Sequence, residues 1–233
     1  MATQPLRHPQ SATAARTAFS GLPPTVSQTL ETITLTTHYP TGAMLFSEGE
    51  PSRGIYIVQR GRVKLSVCAR DGRTLILRIV EAGEVLGAAS AIASREYEAT
   101  AEAQEPCEVT FLRDSDMVRM MTAHGEFALW ITQHLSSDYN ATCREIRTLM
   151  LSGSASEKLA RLLVDQLDRR AEAKCPTRMK LTLTHEEIGQ MIGTSRETVT
   201  RLFAGFRKQK LIEQEGATVV VANRMALESL ITA

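Results

Sequence analysis

No acidic residue occurs in the first 20 positions, no cysteine precedes Cys68, and no apolar run approaches the roughly 18 to 20 residues of a membrane span. The four cysteines, Cys68, Cys107, Cys143 and Cys175, stand apart without a C-x-x-C pair. That spacing excludes a zinc knuckle built on local ligands and gives no disulfide scaffold. Residues 1–20 are rich in Ala, Thr, Ser and Pro with Arg7 and Arg16, but lack the apolar core of a secretory signal, so a disordered tail is expected. Ser, His and Asp occur in no nucleophile-elbow or metal-ligand spacing, and no catalysis is expected.

What is present is sharper. A chain of 233 residues with 43 % hydrophobic content suits one or two globular domains. The net charge of +1 is uneven: residues 152–233 hold 13 Lys+Arg against 10 Asp+Glu, whereas residues 1–151 hold 14 against 16. Within residues 195–210, Arg196, Arg201, Arg207, Lys208 and Lys210 face Glu197 alone, a modest local footprint for a polyanion. That stretch lies in LTLTHEEIGQMIGTSRETVTRLFAGFRKQKL, Leu181 to Leu211. Thr184 and Glu187 form a capping box, Ile188, Met191 and Ile192 an apolar face, and Gly193 a helix end. Ser195 caps a second helix with Val199, Leu202, Phe203 and Phe206 inward, and Arg196, Glu197, Thr200 and Arg201 outward. Two short helices joined through glycine, with guanidiniums opening the second, are what a major-groove reader requires.

SRETVTRLF (Ser195 to Phe203), ahead of the basic run and Leu211-Ile212, closely resembles the recognition helix of the cyclic-AMP-receptor/FNR (CRP/FNR) family of bacterial transcription regulators. Gly42-Ala43-Met44-Leu45-Phe46-Ser47-Glu48-Gly49-Glu50, Tyr56-Ile57-Val58 and Gly61-Arg62-Val63-Lys64 resemble its β-roll signature. Gly83-Glu84-Val85-Leu86-Gly87 is similar to the entry of its phosphate-binding cassette. The resemblance implies an α+β chain: an N-terminal β-roll like that of cyclic-nucleotide-binding domains, a long dimerisation helix and a C-terminal winged helix-turn-helix.

The pattern along the chain fits that order. Short runs with period-two alternation fill 35–112, with Asp71-Gly72 as a hairpin signal between two of them. Gly125 to about Leu151 has no proline and no internal glycine, so one helix of about 27 residues is expected. The expected boundaries are a tail at 1–20, a β-roll sensor at 21–124, a dimerisation helix at 125–151 and a DNA-binding domain at 152–233. Ile131, Leu135, Asp138, Thr142, Glu145 and Leu149 fall at alternating four- and three-residue steps and are expected as a dimer seam; the alternative is a helix packed on its own β-roll. Ser152-Gly153-Ser154 reads as the hinge, and Gly216 as the tip of a small wing.

Base reading is assigned to Arg196, Glu197 and Arg201, because an arginine fork matches guanine O6 and N7 while a carboxylate accepts from cytosine N4. A Glu197–Arg201 pair at i, i+4 is expected to pre-orient both chains. The resemblance implies a TGTGA-like half-site, repeated as an inverted pair. Thr184, Ser195 and Thr198 are assigned to phosphates, Lys208 and Lys210 to non-specific attraction, and His185 either to phosphate or to no role.

The effector pocket is where the resemblance breaks. At the five positions that hold cyclic AMP in the family, this chain has Ala88, Glu98, Ala99, Cys143 and Arg144. A Glu98 carboxylate would stand against the cyclic phosphate in a partly desolvated pocket, unless Arg95 is recruited, and Glu98 pairs instead with Arg95 or Arg144. An altered or absent small-molecule site is the expectation. A heme on His134 and Cys143 is a minor alternative, and an iron–sulfur cluster is excluded by the missing N-terminal cysteines. The expected partners are double-stranded DNA, a second copy of the chain, an unidentified effector, and RNA polymerase through residues 172–180; no cofactor and no membrane contact are expected. The expected location is cytoplasmic. The rival reading is a sensor module whose C-terminal domain contacts protein.

Overall fold

The computed structural model describes residues 18–151, 153–168, 177–216 and 218–231. The architecture is α+β, and the chain divides into two compact units, one ending at Ala141 and one beginning at Thr142. The division falls inside a single long helix, so the expected boundary at residue 124/125 does not coincide with it.

The first unit opens with helix α1 (Pro24–Ile33), entered through Pro23 and Pro24, where the missing amide costs nothing. Eight strands follow: β1 (Leu35–Tyr39), β2 (Met44–Phe46), β3 (Gly54–Arg60), β4 (Val63–Cys68), β5 (Thr74–Val80), β6 (Val85–Leu86), β7 (Thr100–Ala103) and β8 (Cys107–Arg113). They form two antiparallel four-stranded sheets, ordered β1-β8-β3-β6 and β2-β7-β4-β5. The Asp71-Gly72 turn joins β4 to β5, whose register runs from Cys68↔Thr74 to Val63↔Val80. Strand β3 is buried on both faces. Ile55 and Ile57 pack under helices, while Tyr56 and Val58 face the roll interior with Val63, Val80, Ala101 and Ala103. A short helix α2 (Ala88–Ala93) interrupts the strands, and α3 (Asp114–Ala123) leads into α4 (Gly125–Leu151).

Two sequence expectations need correction here. Ala18 and Phe19 are 2 % and 1 % exposed, and Phe19 packs on Trp130 with ring centroids 6.0 Å apart. The indole N–H of Trp130 donates to the Ser20 carbonyl at 3.3 Å. Ala18 and Phe19 therefore belong to the core and exposed Ser20 is tied to it through its carbonyl, so the expected tail can include only positions outside the described residues. The second correction concerns the seam on α4. Ile131 is fully buried in the roll's helical core, Leu135 packs against the same core, and Asp138 pairs with Arg78 of β5 at 2.7 Å. Leu149 approaches Gly193 of its own unit. Of the five seam residues Ile131, Leu135, Asp138, Thr142 and Leu149, only Thr142 is exposed. From Ile131 to Asp138 the stripe marks the face that this helix buries against its own β-roll.

The second unit contains α5 (Ala155–Asp168), α6 (His185–Ile192), α7 (Arg196–Lys208), α8 (Arg224–Ser229) and a three-stranded sheet, β10-β11-β9, from β9 (Arg178–Lys180), β10 (Ile212–Glu215) and β11 (Thr218–Val221). Ser154 Oγ accepts from the Glu157 amide at 3.1 Å, and Glu157 returns a carboxylate to the Gly153 amide at 2.8 Å. That cap aligns α5 so that Leu159, Leu163, Val164 and Leu167 are buried. Ser152 of the expected hinge and residues 172–176 of the expected polymerase loop lie outside the described residues. No helix among the described residues is long and apolar enough to cross a membrane.

Candidate nucleic-acid interface

The site is built by two caps and one turn. Thr184 Oγ1 accepts from the Glu187 amide at 3.1 Å, and Glu187 Oε2 accepts from the Thr184 amide at 2.9 Å, closing a reciprocal capping box at the start of α6. Ile188, Met191 and Ile192 are buried as their spacing predicts. Gly193 then adopts φ 67°, a left-handed conformation cheap only without a Cβ. Gly189 has a separate role: a Cβ there would lie 2.6 Å from the Thr194 carbonyl oxygen. Its hydrogen side chain lets the turn close against α6, a role that a lone glycine inside a helical pattern does not announce.

Ser195 caps α7, its Oγ accepting from the Thr198 amide at 3.2 Å. Val199, Phe203 and Phe206 are buried and Leu202 is half-buried, while Arg196, Glu197, Thr200 and Arg201 are exposed. The three base-reading candidates thus stand on the first two turns of one helix, around its electropositive N-terminus. Arg201 Nη2 donates to Thr198 Oγ1 at 3.2 Å, and the Ser195 and Thr198 hydroxyls lie 3.1 Å apart. Glu197 is held below the usual carboxylate range by its own backbone amide first, then by the Ser195 hydroxyl. The expected Glu197–Arg201 ion pair is not formed among the described residues. Partners closer in sequence compete for both side chains: backbone amide and Ser195 hydroxyl donors for Glu197, and the Thr198 hydroxyl oxygen as acceptor for Arg201.

Thr184, Ser195 and Thr198, the phosphate candidates, are all engaged in caps in the free chain. Lys208 and Lys210 are exposed past the buried face of α7. His185 is more integrated than its sequence position suggests. Its Nδ1 lies 2.9 Å from Thr200 Oγ1, and its ring stacks on Phe203 at 4.9 Å and 13°.

The effector positions are separate. Ala88, the first residue of α2, is 3 % exposed and packs with Ile55, Ile57 and Ala91. Ala99 is buried and, with Ala101 and Ala103, falls on the inward alternation of the strand. Glu98 before them points outward and is exposed, and neither it nor the exposed Arg95 forms an ion pair among the described residues. The expected desolvated clash at Glu98 and its locking pair with Arg95 are therefore corrected: the carboxylate stands exposed in the bend that leads into β7, where water solvates it. Cys143 is half-buried and Arg144 exposed on the second unit's part of α4. His134 sits edge-on to Trp130 at 4.2 Å, and burial lowers its basicity.

A β-roll sensor fold followed by a winged helix-turn-helix, with paired arginines on the exposed face of its second helix, defines a DNA-binding transcription regulator. A model described as "Cyclic nucleotide-binding domain" matches residues 36–124, and one described as "Crp-like helix-turn-helix domain" matches residues 157–230. The cAMP-activated global transcriptional regulator CRP of Pasteurella multocida is 27 % identical over 202 residues, covering 85 % of this chain and 96 % of that protein. FixK2 from Bradyrhizobium japonicum shares the fold with a TM-score of 0.75 at 22 % identity, over 86 % of this chain and 98 % of that one. The c-di-GMP responsive global regulator CLP of Xanthomonas campestris does so with a TM-score of 0.71 at 22 % identity, over 84 % and 98 %. The chain belongs to the CRP/FNR family of transcription regulators.

Proposed function

We propose that this regulator binds, as a homodimer, an inverted repeat of TGTGA-like half-sites, and that its effector is not cyclic AMP. The observation that carries the reading is the exposed trio Arg196, Glu197 and Arg201 on one capped helix, where forks and a carboxylate can meet guanine and cytosine edges together. Thr184, Ser195 and Thr198 exchange their capping contacts for phosphate oxygens when the duplex docks.

Pairing uses the outward face of α4. Leu129, Tyr139 and Ile146 are 60 %, 71 % and 54 % exposed, an apolar set that water would otherwise wet. With Thr132, Ser136 and Cys143 they fall at alternating three- and four-residue steps, the spacing of a two-stranded seam. A second copy sets the two recognition helices about one DNA turn apart, so both half-sites contribute to affinity.

Loss of the cyclic AMP effector rests on Ala88 and Ala99, which offer no hydroxyl or carboxylate to a ribose or cyclic phosphate, and on a solvated anion at Glu98. Selection of duplexes from random DNA tests the first claim; recovery of sequences without inverted symmetry would refute it. Calorimetry with cyclic AMP, cyclic GMP and c-di-GMP tests the second. Micromolar binding of cyclic AMP would refute it.

A further inference from the structure

We propose that His185 links proton uptake to duplex binding: through Nδ1 it holds the recognition helix in either charge state, and it gains a proton at Nε2 when DNA phosphate arrives. The inference rests on the DNA-binding reading and assigns a positioning residue within that site.

Thr200 has a single O–H hydrogen, and it is donated to the Arg196 carbonyl at 3.0 Å. Its oxygen, 2.9 Å from His185 Nδ1, must therefore accept. This fixes the neutral tautomer as Nδ1–H, with the lone pair on Nε2. Adding a proton at Nε2 leaves the Thr200 bond untouched. The ring also stays stacked on Phe203, so the helix pair keeps its geometry in both states.

The groups around the ring decide its charge. Arg196 and Arg207 face it from α7, and its own first turn carries Glu186, exposed, and Glu187, committed to the Thr184 cap. In the free protein, burial first and then the two guanidiniums hold the imidazole below its ordinary value. The neutral form dominates at pH 7. A duplex reverses the second cause, because base and phosphate oxygens neutralise Arg196 and the phosphate potential favours a cation. Docking then carries a proton with it.

The test is fluorescence anisotropy of the selected duplex with the full chain, from pH 5.5 to 8 at constant ionic strength. The unsubstituted protein should bind more tightly as pH falls, by at most about tenfold per pH unit, the ceiling for one linked proton. H185N keeps a donor near the Nδ1 position and H185Q is a second non-titrating variant. Either one should retain the same sequence preference with a flatter profile, whereas H185A should bind more weakly throughout. Thermal melting of the variants separates loss of folding from loss of linkage. A flat profile for the unsubstituted protein, or an unchanged slope in folded H185N and H185Q, overturns the proposal while leaving DNA recognition standing. Absence of sequence-specific binding at every pH overturns both.

Discussion

Arg78 of β5 reaches Asp138 at the middle of α4, with Nη2 2.7 Å from Oδ1, while its Nη1 lies 2.5 Å from Glu84. Only 11 % of the Arg78 side chain is exposed, so this cation stands between two carboxylates at the seam of strand and helix. Asp138 is shifted above the usual carboxylate range, by burial first, with Arg78 opposing and Glu84 adding to it. The two ends of the contact should thus behave differently. R78A strands two half-buried carboxylates and should destabilise the roll by about 1–3 kcal/mol in denaturant unfolding. D138N should be near neutral at pH 4. A raised folded value means that the acid's contribution is present below its unfolded range and lost as pH rises through the folded one, so the stability of D138N relative to the unsubstituted chain should improve as pH rises above the ordinary carboxylate range.

The two faces of α4 predict opposite failures. I131E places a charge in a fully buried position and should abolish cooperative folding of the roll. I146E, at an exposed site, should leave the melting transition in place and yield a monomer in sedimentation velocity.

Groove contacts and general attraction are separable by salt. R196A or R201A should lose about 1–3 kcal/mol of discrimination at one base pair per half-site, measured by competition among substituted duplexes. K208A should weaken all duplexes alike and reduce the slope of log affinity against log salt by about one for each phosphate it leaves without a cation.

The turn between the DNA-site helices has its own test. G189A forces a methyl against the Thr194 carbonyl and should cost about 1–3 kcal/mol. T184A removes the capping hydroxyl and should cost about 1 kcal/mol. Both are read in thermal unfolding, and G189A should also impair duplex binding because it shifts the start of α7.

Local signals carry much of this structure. The capping box at Thr184, the glycine turn at Gly193 and the Asp71-Gly72 hairpin each depend on residues within a few positions of one another, and each lies where its pattern predicts. The departures come from long-range choices. The α4 sequence holds two stripes of suitable spacing, and the one through Ile131 and Leu135 is consumed by the roll although it also carries Asp138; nothing local reveals which face the strands cover. Phe19 reads as part of a polar tail until Trp130, more than a hundred residues later, supplies its partner. Family resemblance puts Glu98 in a pocket, whereas the bend before β7 leaves it exposed. His185 is ambiguous in the sequence because its partner Thr200 lies 15 residues away, on the next helix.

The chain contains one indole, and it sits at the junction of Phe19, Phe127 and His134. Tryptophan emission is therefore a single-site optical gauge, built in without labelling. A shift in its wavelength or quenching reports rearrangement where the long helix leaves the sensor, and remains silent to melting confined to the other unit.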